Sequence, residues 1–102
     1  MPINTSQTDA GKKVRIAVTG SFDFSLQREF REAYRNATEH GVEFRVNLRS
    51  ADYMDSAALG MLLLLREHAE IHKGQVIVES AAPEIKRILV NAKFDRLFPI
   101  EG

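Results

Sequence analysis

Residues 52–60 read Asp52-Tyr53-Met54-Asp55-Ser56-Ala57-Ala58-Leu59-Gly60, followed by the apolar run Met61-Leu62-Leu63-Leu64-Leu65. An acid–serine pair directly before apolar residues marks a helix start, because the N–H groups of a first turn have no intrahelical partners. The helix is expected from Ser56 or Ala57 to Lys73, with Gly74 as its stop. Immediately upstream, Val42-Glu43-Phe44-Arg45-Val46-Asn47-Leu48 alternates apolar and polar residues, the period of a strand with one buried face. The nonapeptide therefore sits where a strand, after a loop from Arg49 to Asp55, hands over to a long helix.

The same grammar runs outward in both directions. Val14, Ile16 and Val18 alternate with Arg15, Ala17 and Thr19, and Gly20 closes that strand. Ser25 is the expected cap of a helix from Leu26 to about Glu39, with Leu26, Phe30, Ala33, Tyr34 and Ala37 as its apolar stripe and Gly41 as its end. Val76-Ile77-Val78 reads as a short apolar strand in an interior position, and Pro83 opens a helix through about Asn91. Leu97-Phe98-Pro99-Ile100 suits a last edge strand, since Pro99 has no ladder donor. Residues 1–11 are expected to form a frayed terminus or a short edge strand around Ile3. Strands alternating with helices predict an α/β domain: a mixed sheet of four to five strands packed with about three to four helices.

At 102 residues there is room for one domain, taken as residues 1–102. Lys plus Arg equals Asp plus Glu at 14 each, so no global field draws the chain to nucleic acid or to an anionic membrane. The absence of cysteine excludes disulfides, thiolate metal sites and cysteine nucleophiles, and permits a reducing compartment. The opening MPINTSQTDAGKK has no apolar centre, so no secretory signal is expected. Ala57 to Leu65 is the longest apolar stretch, about half of a membrane span, so no insertion is expected and a cytoplasmic location is.

Ser56 reads two ways. On the residues alone it is a plain helix cap, and Asp-Ser before an apolar run has little specificity. The same position also welcomes an anion, because the helix dipole and the free donors add there. Phosphate on Ser56 would then be tolerated by the fold while changing its surface. Five consecutive apolar residues from Met61 point all round a helix axis, whereas a helix on a sheet buries only a stripe. Some of Ala57, Met61, Leu64 and Leu65 should therefore be exposed near Ser56 as a docking surface, unless neighbouring helices cover the run.

Asp55-Ser56-Ala57-Ala58-Leu59-Gly60 resembles the signature Asp-Ser-[Ser/Thr]-Gly-Leu-Gly of the STAS domain of bacterial anti-sigma factor antagonists. Upstream, Thr19-Gly20-Ser21-Phe22-Asp23 is similar to that family's Gly-Glu-Leu-Asp turn. Downstream, Phe94-Asp95-Arg96-Leu97-Phe98-Pro99-Ile100 looks like its closing Leu-Asp-[Arg/Lys]-[Val/Leu]-Phe-x-Ile segment. Ala57 stands where the family has a second hydroxyl, leaving Ser56 as the one acceptor in the motif. Ala58 replaces glycine, which changes the bulk at the helix start and with it the choice of partner. The chain ends at Gly102 without the last helix many members carry, so contacts made by such a helix are in doubt.

The resemblance implies a STAS-like fold and a partner-switching regulator. An unphosphorylated antagonist binds an anti-sigma factor, often itself a serine kinase. Phosphorylation of the motif serine releases the antagonist, and a serine phosphatase restores it. Carried over, Ser56 is the phosphoacceptor, Asp55 orients its hydroxyl, and Asp23, Asp52, Ala57, Ala58, Met61 and Leu64 complete the partner-binding surface. The protein itself is then no enzyme and needs no cofactor, and it is expected to be a monomer. The other implied roles are a STAS accessory subunit of a membrane transport system, or a switch acting on a second-messenger enzyme.

Other groups carry less. His68 and His72 share a helix face at i, i+4, but no third metal ligand is evident, so they are expected to be solvated. Arg28, Arg31 and Arg35 share a face of the first long helix among Glu29, Glu32 and Glu39, which predicts a salt-bridged surface. No G-x-S-x-G elbow, P-loop or dinucleotide glycine pattern is present.

Overall fold

The structure, a computed structural model, describes residues 2–102. Seven strands and three α-helices form it: β1 (Ile3–Thr8), β2 (Lys13–Val18), β3 (Gly20–Phe22), α1 (Gln27–Tyr34), β4 (Glu43–Asn47), β5 (Ala51–Met54), α2 (Ser56–Ile71), β6 (Gln75–Glu79), α3 (Pro83–Asn91) and β7 (Ile100–Glu101). The main sheet has the order β1-β2-β4-β6-β7. Its β1–β2 pair is antiparallel and the rest is parallel. This is the mixed α/β architecture expected, with five strands in the main sheet.

Alternation in the strands decides the two faces. Val14, Ile16, Val18, Phe44, Val46, Val76 and Val78 join the buried residues of all three helices in one core cluster. The opposite face carries a polar network in parallel register. Ala17, Asn47 and Glu79 lie abreast, as do Arg15, Arg45 and Ile77. Glu79, the buried charged residue of β6, accepts from Arg15 Nε at 2.8 Å and from Asn47 Nδ2 at 3.0 Å. Arg45 ties Glu43 at 2.7 Å and Glu101 at 2.9 Å. A carboxylate so largely removed from water demands such partners. Burial pushes the Glu79 carboxyl up, but the bonds from Asn47, Arg15 and Arg45 outweigh it and hold it below the usual carboxylate range.

Residues 3–8 form an edge strand, one of the two expectations for the first eleven residues. Other expectations need correction. Ser25 is not the cap of α1: Asp23 caps a 3-10 turn at Phe24–Leu26, its Oδ1 accepting from Ser25 N at 2.9 Å, and α1 follows. Helix α1 ends at Tyr34, short of Glu39, because Ala37 N turns back to the Tyr34 carbonyl (2.9 Å) while the Ala37 carbonyl accepts from His68 Nε2 (2.8 Å). His68 is therefore no solvated residue; its ring packs on Tyr34 at 5.0 Å and Phe44 at 5.8 Å, with His72 at 4.7 Å. Among the described residues no group of three potential ligands could hold a metal.

The largest departure is a separate two-stranded ribbon. Gly20, at φ +82°, swings the chain out of β2, and β3 pairs in parallel with β5 inside the stretch expected to be loop. Gly20 pairs with Ala51 but Ser21 with Tyr53, so Asp52 is the extra residue of a bulge. This ribbon delivers the chain to the start of α2.

Candidate functional site

Ser56 is the first residue of α2 and Asp55 its N-cap, in extended conformation. Asp55 Oδ1 accepts from Ala58 N at 2.9 Å, and Oδ2 accepts from Phe24 N at 3.4 Å. The Asp55 N–H in turn donates to the Phe22 carbonyl at 3.3 Å, extending the β3–β5 ribbon into the cap. One residue thus locks the helix start to the turn after β3. Both carboxylate oxygens of Asp55 accept from backbone donors, and no bond joins them to the Ser56 hydroxyl among the described residues.

The Ser56 side chain is exposed and makes no hydrogen bond among the described residues. Its own N–H and that of Ala57 belong to the first turn, which lacks intrahelical acceptors. Asp23 is half-buried beneath the same edge, held by Ser25, while Asp52 is exposed on the bulge. Anion-receptive backbone and a fully accessible hydroxyl therefore share one corner of the molecule.

The apolar surface beside Ser56 differs from the sequence reading. Ala58 is 0% and Met61 4% exposed, and Leu65 is fully buried, so these three face the core rather than solvent. Positions 58, 61, 62, 65 and 69 recur at helical spacing and make the stripe that lies on the sheet. Ala57 is half-buried, and Leu64, seven residues on and so on the same flank of the helix, is 52% exposed. Two exposed aromatics that the sequence did not single out belong to the segments that meet at the helix start: Phe24, 65% exposed, whose N–H bonds Asp55, and Tyr53, 54% exposed, three residues before Ser56 in the chain. The sequence cue for Phe24 is a lone aromatic between Asp23 and Ser25 with no periodic partner.

Among the described residues no helix is long and apolar enough to cross a membrane. A family model described as "Mlab, STAS domain" matches residues 5–99. A STAS-domain containing protein of Pseudomonas aeruginosa (strain UCBPP-PA14) is 39% identical over 100 residues, covering 98% of this chain and 99% of that protein. Among solved structures, a candidate anti-sigma factor antagonist of Thermotoga maritima aligns with a TM-score of 0.81 at 14% identity, covering 98% of this chain and 86% of its own. The anti-sigma factor antagonist SpoIIAA in its unphosphorylated form aligns at 0.71 and 17%, with coverage of 98% and 86%. A sulfate transporter family protein from Wolinella succinogenes aligns at 0.79 and 13%, with coverage of 94% and 80%. At such identities these structures speak for the fold alone, while the match over residues 5–99 and the Pseudomonas relative carry the assignment. The chain belongs to the STAS-domain family.

Proposed function

We propose that this protein is a partner-switching regulator, an anti-sigma factor antagonist of the cytoplasm that docks through the corner around Ser56 and is released when Ser56 is phosphorylated. The observation that carries the reading is the exposed, unbonded Ser56 hydroxyl at the start of α2. It acts as a binding module; ATP and Mg²⁺ belong to a serine kinase partner, and a serine phosphatase reverses the modification. The antagonist class rests on the resemblance of Asp55-Ser56-Ala57-Ala58-Leu59-Gly60 to the family signature, and the Thermotoga and SpoIIAA folds are compatible with it.

The energetics suit a switch. Phosphate adds about −1.5 to −2 charges at neutral pH. At a helix N-terminus it is compatible with the fold, worth roughly 0.3–1 kcal/mol in its favour. Buried without a counter-charge in a partner interface, the same charge is unfavourable by about 3–5 kcal/mol. Exposed Asp52 and the Asp55 cap add repulsion beside it. Inverting an association from mostly bound to mostly free takes roughly 5.5 kcal/mol, which charge, bulk and repulsion together reach.

The test is a pull-down with Ser56→Ala and Ser56→Asp baits, read by mass spectrometry. The partner should be enriched on the alanine bait, and equal recovery on both would overturn the switch. The fold shared with a sulfate transporter family protein from Wolinella is compatible with a second reading, an accessory subunit of a membrane transport system. Recovery of transporter subunits with both baits, and no phosphate on Ser56, would select that role.

A further inference from the structure

Helices α1 and α2 do not close on each other completely. Between them runs an open groove of about 710 Å³ with Phe30, Tyr34 and Met61 at its base. On the α2 wall stand Leu64, 52% exposed, and Ile71, 67% exposed. They are seven residues apart, about 10.5 Å along the axis, which is the i, i+7 repeat of an amphipathic helix.

The α1 wall is cationic. Arg28, Arg31 and Arg35 all line the groove at spacings of three and four. The salt-bridged surface expected there is only partly present: Arg35 holds Glu32 at 2.9 Å, whereas Arg28 and Arg31 are exposed and form no ion pair among the described residues. The remaining charge facing the groove is Glu67 on α2, with half-buried His68 beside it. An apolar ridge flanked by two uncommitted guanidinium groups matches an amphipathic helix whose apolar stripe lies on Leu64 and Ile71 and whose carboxylates meet Arg28 and Arg31. A second copy fits worse, because its own arginine row would enter the site.

We infer that the α1–α2 groove is a second docking surface, occupied by an acidic amphipathic helix of a partner protein and open in both states of Ser56. The independence follows from distance. Leu64 lies eight residues beyond Ser56, about 12 Å along the helix, and Ile71 lies further. The screening length at physiological salt is about 8 Å, so phosphate at the helix tip acts weakly on the Leu64–Ile71 part of the groove.

The probe is a synthetic peptide of roughly 18 residues with Leu at i, i+3 or i+4, and i+7, and with Glu and Ala elsewhere. It is titrated into the full-length ¹⁵N-labelled protein beside its Lys-for-Glu counterpart and a scrambled control. Amide shifts should map to α1 and the outer face of α2, with affinity at least tenfold tighter than for the Lys peptide. The pair Arg28→Glu and Arg31→Glu should invert that preference, and Leu64→Ser should weaken binding about tenfold. Circular dichroism checks that these surface variants fold. Ser56→Asp should leave the affinity within about twofold. No binding of the acidic peptide at roughly 1 mM, equal binding of the Lys or scrambled peptide, or shifts elsewhere would overturn the inference. So would anionic vesicles or self-association engaging the same residues in place of the peptide. Loss of peptide binding in Ser56→Asp would overturn the independence and merge the groove with the switch.

Discussion

Phe24 and Asp55, thirty-one residues apart in the chain, are joined by a hydrogen bond in which the Phe24 backbone N–H donates to Asp55 Oδ2 at 3.4 Å. The other oxygen of the same carboxylate caps α2 through Ala58 N at 2.9 Å. The family's acidic motif residue is thereby a structural clasp between the turn after β3 and the helix that presents Ser56.

Removing the clasp should be felt in stability. Asp55→Ala should lower the unfolding free energy by about 1–2 kcal/mol, the usual worth of an N-cap, in urea titrations. Asp55→Asn keeps one acceptor, enough for the cap on Ala58 N, but sets an NH2 donor where Oδ2 accepted from Phe24 N, so it should fall between the wild type and Asp55→Ala. The Phe24 amide resonance should move in both variants, while the Ala58 amide should move only in the alanine one.

Phe24 and Tyr53 separate contact from packing. Both are mostly solvent-exposed, so Phe24→Ser and Tyr53→Ser should change stability by about 0.5 kcal/mol or less. In the Ser56→Ala background each should reduce partner recovery severalfold, as aromatic anchors at an interface do. Undiminished recovery in both would place the contact elsewhere.

Two glycines, one in the second turn of α2 and one just past its far end, behave oppositely. A Cβ on Gly74 would lie 1.9 Å from the Val42 carbonyl oxygen, which already accepts from Gln75 N at 3.0 Å, so the backbone has no room to yield. Gly74→Ala should destabilise the domain by about 3 kcal/mol in chemical denaturation. A Cβ on Gly60 meets nothing within 4 Å, and Gly60→Ala should stabilise α2 by about 0.5–1 kcal/mol. Weaker partner binding by that more stable variant would mark position 60 as part of the contact.

Acid should loosen the sheet through Glu79 and Glu43. Both carboxyls are held below their ordinary range: in Glu79 the bonds from Asn47, Arg15 and Arg45 exceed the opposing effect of burial, and in Glu43 the bond from Arg45 dominates. A depressed folded-state pKa means the folded form binds fewer protons than the unfolded one near pH 4. Their contribution is complete above the unfolded value, about 4.3, and is lost as pH falls through the lower folded values. Thermal melts should thus show Tm falling steeply below about pH 4.5, and Glu79→Gln should flatten that slope while lowering Tm at pH 7.

The sequence by itself determined the order of the main strands and helices, the position of the Asp55-Ser56 motif at the head of α2, and the parity of charge. These depend on period-two and period-3.6 patterns and on capping chemistry, which are local to a few residues. Tertiary structure decided the rest. The β3–β5 ribbon is too short to show a period, and its bulge at Asp52 breaks the alternation that a strand would show. Within an all-apolar run, only the packing of α2 on the sheet selects Met61 and Leu65 for the core and leaves Leu64 outside. Whether Arg28 and Arg31 are paired, and whether His68 is solvated, likewise depends on neighbours thirty or more residues away, reached through contacts that no single segment encodes.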